Sequence, residues 1–151
     1  MSPDNRERTI LGLELELSRL VRRIKRVIGD RARTIHPDLT PTGYLMLAYT
    51  SERGSVRASA VVEAFNLDKG AVSRHVQSLV EFGLATRERD PDDGRAWVVS
   101  LTDEGRRRMH DVATVRREQL GRRLEDWSDD ELDSFVATLG RYNTSLDGVD
   151  D

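Results

Sequence analysis

Gly70, Ser73, Arg74, Gln77 and Glu81 recur at spacings that place them on one face of an α-helix. Val72, Val76 and Leu79 fall on the opposite face of the same stretch. The polar set offers a hydroxyl, a guanidinium and a carboxamide beside a glycine, which suits recognition rather than bond breaking. Arg74 can contact a base or a phosphate, and Ser73 and Gln77 can donate to phosphates or pair with adenine. Lys69 and Gly70 stand where a helix N-terminus would meet a phosphate. Further guanidinium groups follow at Arg87, Arg89 and Arg95, and Arg57 precedes the set as another phosphate candidate. Plainer readings stand beside these: Arg74 and Lys69 as solvated side chains, Arg87 and Arg89 as partners in local salt bridges.

Other chemistries find little support. The chain has no cysteine, which removes a disulfide framework, a thiolate zinc site and a thiol redox switch. His36, His75 and His110 are far apart, whereas a zinc site needs about four converging ligands. No metal and no cofactor are expected. His75 lies off the inner face of its helix and is expected to pack or bond locally. With no nucleophile–base pair and no phosphate-binding loop, catalysis is not expected either.

The elements that must hold these residues can be read from period and punctuation. Ile10, Leu13, Leu17, Leu20, Ile24 and Val27 form the seam of a long amphipathic helix, which His36-Pro37 stops. That seam suits either a core helix or a helix that meets another subunit. Thr40-Pro41 starts a second helix, apolar almost all round from Tyr44 to Tyr49 and so expected to be buried. A short third helix over Ala58–Phe65 is expected to bury Ala60, Val61, Ala64 and Phe65. Asn66-Leu67-Asp68 makes a corner with Asp68 as N-cap, and the next helix runs from Lys69 to Phe82 and closes on Gly83. The period then changes. Residues 84–101 read as a two-stranded hairpin around the charged turn Asp90-Pro91-Asp92-Asp93-Gly94-Arg95. Thr102 caps a long helix, and Ser128 with Glu131 has capping-box spacing at the start of a last one. Leu132, Phe135, Val136, Leu139, Asn143 and Leu146 share a face of that helix.

The 151 residues suit one ordinary domain, with 37% hydrophobic and 34% charged residues and a lean aromatic content of 5%. A lean core leaves room for a partner chain to add burial. Nothing approaches a membrane span or a signal-peptide core, so a soluble, cytoplasmic protein is expected, with no membrane partner. The net charge of −3 hides a separation of charge. Residues 1–33 carry nine basic and five acidic side chains, residues 122–151 three and nine. DNA responds to the local field rather than the sum.

A short helix, a tight corner and a helix with a small, polar outer N-terminal face make a helix-turn-helix, whose second helix fits the major groove. The hairpin directly after it is a wing, whose cationic tip can reach a minor groove or phosphates. Here the chain resembles the MarR family of bacterial winged-helix regulators. The likeness is carried by Leu67-Asp-Lys-Gly-Ala-Val-Ser-Arg-His-Val, by Leu79-Val-Glu-Phe-Gly-Leu-Ala-Thr-Arg, by Asp90-Pro-Asp-Asp-Gly-Arg-Ala and by Val99-Ser-Leu-Thr-Asp-Glu-Gly105. It covers about residues 8–146. The expected fold is mainly α, an α+β winged helix-turn-helix with N- and C-terminal dimerisation helices. Residues 1–36 and 103–146 would form the dimerisation region, 37–102 the DNA-binding region and 147–151 a disordered acidic tail.

The resemblance implies a homodimer with interleaved terminal helices. It also implies binding to a short inverted repeat in double-stranded DNA, usually as a repressor released by a small ligand. Arg74 and Arg95 match the family's DNA-facing arginines, and Asp93 matches the acidic residue expected to orient an arginine. Related regulators bind aromatic acids in a cleft near the position of His36. His36, Tyr44 and Tyr49 are therefore candidates for a small aromatic or anionic ligand, with ordinary core packing as the alternative. The competing reading of the whole chain is a winged-helix module that binds protein without sequence-specific DNA binding. Ser73, Arg74 and Gln77 count against it, because a protein-binding face more often exposes aromatics or aliphatics.

Overall fold

Hydroxyl and carboxylate caps set several helix boundaries in the computed structural model, which describes residues 3–147. The order is α1 (Pro3–Ile35), α2 (Pro41–Arg53), β1 (Ser55–Arg57), α3 (Ala58–Phe65), α4 (Lys69–Glu81), β2 (Ala85–Arg89), β3 (Trp97–Leu101), α5 (Asp103–Arg123) and α6 (Asp129–Leu146). The chain divides into two compact units, one ending at Val112 and one beginning at Ala113. The expected acidic tail lies, beyond Asp147, outside the described residues.

In the first unit, Thr40 caps α2 by accepting the Gly43 amide at 3.0 Å, with Pro41 in the first turn. Gly54 ends the helix at φ 79°, a conformation that favours glycine. Met46, Leu47, Val61, Val72, Leu79 and Leu84 are the most enclosed large side chains, so the core lies where α2, α3, α4 and the sheet meet. The last turns of α1 join it through Ala32 and Ile35, whereas Ile10, Leu13, Leu20 and Ile24 remain exposed. The seam of α1 therefore serves the core at one end only. Arg108 of α5 donates to the carbonyl of Ile35 and to Glu104, which ties the start of α5 to the end of α1.

The sheet differs from the expected two-stranded hairpin. It has three antiparallel strands in the order β1-β3-β2, with Val56 opposite Val99 and Arg89 opposite Trp97. The strand β1 is three residues long, too short to display an alternation that could be read from the chain. Its pairing depends on backbone groups that any sequence supplies. Two burial expectations also change. Ala64 is exposed, because only the Val61 side of the short α3 turns fully inward, and Leu45 on α2 is 39% exposed.

Gly105 locks α5 to the end of α4. A Cβ there would stand 2.0 Å from the Leu84 carbonyl oxygen, so no larger residue fits without backbone movement. The same carbonyl accepts the Thr102 amide at 3.1 Å, and the Thr102 hydroxyl donates to Gly83 and accepts from the Gly105 amide. This backbone approach explains why threonine and glycine stand three residues apart at the start of α5.

The second unit is built differently. Ser128 and Glu131 form the capping box in both directions, and Trp127 meets Phe135 edge-to-face at 5.5 Å. Yet no residue of α6 is buried, and Phe135, Val136, Leu139 and Leu146 are exposed.

Candidate nucleic-acid interface

The corner before α4 turns at Asn66, whose φ of 47° is left-handed, and Asp68 then caps the helix by accepting the Ala71 amide at 2.7 Å. Burial of Val72, Val76 and Leu79 leaves only one direction for Gly70, Ser73, Arg74 and Gln77, and all four are exposed. Gly70 leaves room for a guanidinium. Arg74 Nη1 lies 3.4 Å from where a Cβ on Gly70 would stand, so the arginine folds back over the first turn of α4. Gln77 donates to Glu81 at 3.0 Å.

The wing presents its arginines through Trp97. Arg87 and Arg89 lie two residues apart on β2 and so point to the same side of the sheet. Their guanidinium carbons lie 4.5 Å and 4.1 Å from the Trp97 ring centroid. The indole is thus a platform that holds two cations. Arg89 also donates to the Gly94 carbonyl at 3.0 Å, and Arg87 reaches Ser73 Oγ at 3.5 Å. Arg87 Nε is buried without an acceptor. Lys69, Ser73, Arg87, Arg95 and Trp97 border a half-open cavity of about 280 Å³ between α3, α4 and the hairpin.

At the tip, Asp93 accepts the backbone amide of Arg95 at 3.1 Å, which shapes the turn rather than orienting a guanidinium. The carboxylate that does hold an arginine is Asp90, only 6% exposed. Its Oδ2 accepts from Arg57 Nε at 2.6 Å and its Oδ1 from the Asp92 amide at 2.8 Å. The Asp92 amide first, and then Arg57, draw the Asp90 carboxyl below its ordinary range against the opposing cost of burial. Arg57, the last residue of β1 and the N-cap position of α3, therefore stands in the wing support and not among the residues around the cavity.

Two participants were invisible from the chain. Asp90 reads as one more turn residue, because its partner sits 33 positions away on a strand with no periodic signal. Trp97 reads as a packing residue, because its place opposite Arg89 follows from the register of the two strands.

His36, Tyr44 and Tyr49 each have packing partners of their own. The His36 imidazole stacks on Phe82 at 4.0 Å and accepts the Asp38 amide at Nδ1, Tyr44 is buried in the core, and Tyr49 meets Phe65 edge-to-face at 5.7 Å. Arg53 covers the Tyr49 ring. Among the described residues no group of His, Cys, Asp and Glu could hold a metal ion, and no helix is long and apolar enough to cross a membrane.

Comparison with known proteins agrees with this geometry. Residues 38–96 match the sequence model of the MarR family. The chain is 30% identical over 134 residues to the uncharacterized HTH-type transcriptional regulator YxaD of Bacillus subtilis (strain 168), covering 89% of this chain and 92% of that protein. It is 25% identical over 96 residues to the HTH-type transcriptional repressor YetL of the same organism, covering 64% of this chain and 58% of the relative. A solved MarR family protein from Bacillus stearothermophilus superposes with a TM-score of 0.72 at 25% identity, over 93% of this chain and 96% of the other. A hairpin in a three-stranded sheet, the capped helix α4 before it and a relative matched over nearly its whole length lead to one conclusion: the chain belongs to the MarR family of winged helix-turn-helix transcriptional regulators.

Proposed function

We propose that the protein acts as a homodimer that binds a short inverted repeat in double-stranded DNA and represses transcription there. The observation that carries this reading is the convergence of Lys69, Ser73, Arg87 and Arg95, from α4 and both sides of the hairpin, around one cavity beside the outer face of α4. In this reading α4 enters the major groove, with Ser73, Arg74 and Gln77 toward base edges and Lys69 and Gly70 at a phosphate. Arg95 at the wing tip reaches the neighbouring minor groove or its phosphates, and Arg87 and Arg89, held on Trp97, face the backbone. The exposed apolar faces of α1 and α6 would be covered by the same helices of a second copy, making residues 1–36 and 103–146 the dimerisation region and 37–102 the DNA-binding region.

Repression is the outcome named for the relative YetL, and release by a small ligand follows from the family resemblance. An aromatic or anionic ligand at His36, Tyr44 and Tyr49 would have to open the His36–Phe82 and Tyr49–Phe65 contacts. It would act by favouring one spacing of the two DNA-binding lobes.

The experiment is selection of duplexes from a random-sequence pool by the purified protein at physiological salt. Enrichment of an inverted repeat with half-sites about one DNA turn apart, on the order of 34 Å, is expected. Binding should weaken steeply with salt. Recovery of no sequence over repeated rounds would overturn the reading in favour of a protein-binding winged helix.

A further inference from the structure

Arg57 and Asp90 join two segments that nothing else in the sequence marks as neighbours. Arg57 ends β1 and immediately precedes α3, while Asp90 is the first residue after β2. Their contact at 2.6 Å is made at the base of the wing turn. Asp90 is 6% exposed, which is rare for an aspartate unless its charge is compensated. All of its described bonds serve the turn or its support. Oδ2 takes Arg57 Nε, Oδ1 takes the Asp92 amide, and the Asp90 amide donates to the Ala96 carbonyl at 3.0 Å. Asp93 continues the chain of bonds by accepting Arg95 through its side chain and Ala96 through its carbonyl. A path of hydrogen bonds thus runs from the start of α3, through Asp90 and the turn, to the backbone of Arg95.

We infer that Arg57 and Asp90 form a strut that fixes the height of the wing tip, so that both are positioning residues for Arg95 and Arg57 is not itself a phosphate contact. The inference rests on the DNA-binding reading above and deepens it. The physical argument is one of rigidity. β1 pairs with β3 only as far as Val98, so beyond it the hairpin is a two-stranded extension with little core of its own, whose tip moves unless a further link restrains it. An arginine bonded to a buried carboxylate is such a link, because parting them would leave a desolvated charge uncompensated. The half-exposed Arg57 side chain would attract DNA only weakly in this state, since Asp90 already balances its charge.

The two assignments predict opposite signs for one substitution. If Arg57 contacts phosphate, Asp90→Asn removes a competing negative charge near DNA and leaves binding unchanged or tighter. If the pair is a strut, Asp90→Asn weakens binding to the duplex selected by the parent protein by about tenfold, and Arg57→Ala does the same. The double variant is then no worse than either single one. In an Arg95→Ala background, measured at reduced salt, Asp90→Asn should change affinity less than about twofold, because the strut acts only through that tip. A general loss of fold would cost the same in both backgrounds. Equal losses in the two backgrounds, or binding by Asp90→Asn as tight as the parent's, overturn the inference. Amide hydrogen exchange over residues 89–97 supplies an arm that needs no DNA. Exchange should quicken in Arg57→Ala while α2 and α4 stay protected, and unchanged exchange rejects the strut. Failure of the parent to select any duplex would instead remove the DNA-binding reading, leaving the exchange result to judge the strut alone.

Discussion

The winged part of the chain and the last helix differ in where their stabilising contacts are made. From Thr40 to Gly105 almost every structural decision is closed within one chain. Caps are satisfied, Val61, Val72 and Leu79 are enclosed, Asp90 has its arginine and Trp97 carries two cations. In α6 the local signals are as good, with a complete capping box, yet no residue is buried. An amphipathic helix without a covered apolar face is marginal, because capping alone contributes only about 1 kcal/mol. Correct local structure and sufficient burial are therefore separate requirements, and one region meets both while the other meets the first.

The sharpest way to break this contrast is to charge the exposed faces. Ile24→Asp combined with Leu139→Asp should turn the proposed dimer into monomers by sedimentation and weaken binding to the selected duplex at least about a hundredfold, as two linked half-site contacts become one. Preserved dimers would show that these faces are covered by something other than a second copy. Next comes the joint between α4 and α5. Gly105→Ala should lower stability to denaturant by about 3 kcal/mol, since the clash is with the Leu84 carbonyl rather than a movable side chain. The recognition face should behave in the opposite manner. Arg74→Ala and Arg95→Ala should each cost about tenfold in DNA affinity while the dimer and its melting stay as in the parent. Unchanged affinity in both would move the interface elsewhere.

Smaller effects sharpen the comparison. Ser128→Ala should cost about 1 kcal/mol, seen in α6 by hydrogen exchange and leaving the winged part untouched. Acid should touch both regions, because Asp90 is held low by the Asp92 amide and Arg57, Glu104 by Arg107 and Arg108, and Glu131 by Ser128. For carboxylates depressed in this way, the contribution to stability is complete above their ordinary values, roughly 4, and is lost as pH falls through the lower folded values. Melting temperature should therefore be insensitive to these groups from pH 8 to 5 and fall below about pH 4.

Much of this was legible in the chain because it depends on local chemistry. Thr40-Pro41, Asp68, Gly83 and Ser128 with Glu131 act within four residues of themselves, and the period of Val72, Val76 and Leu79 decides which way Ser73 and Arg74 point. The short β1, the exposure of Ala64 and Leu45 and the fate of Arg57 were not legible. Each depends on what arrives from a distant part of the sequence.

Composition, period and capping residues by themselves determined the helices, the hairpin, the polar outer face of α4 and the absence of thiol chemistry. Those properties come from each residue's own torsions and its neighbours within a turn, where spacing is information enough. Only the tertiary structure decided that Asp90 would be buried against Arg57, that Trp97 would carry Arg87 and Arg89, and that Leu84 would leave room for nothing larger than Gly105. These are contacts between segments 8 to 33 residues apart. Their free energy depends on desolvation and packing at one place in space, and a chain read residue by residue does not contain that place.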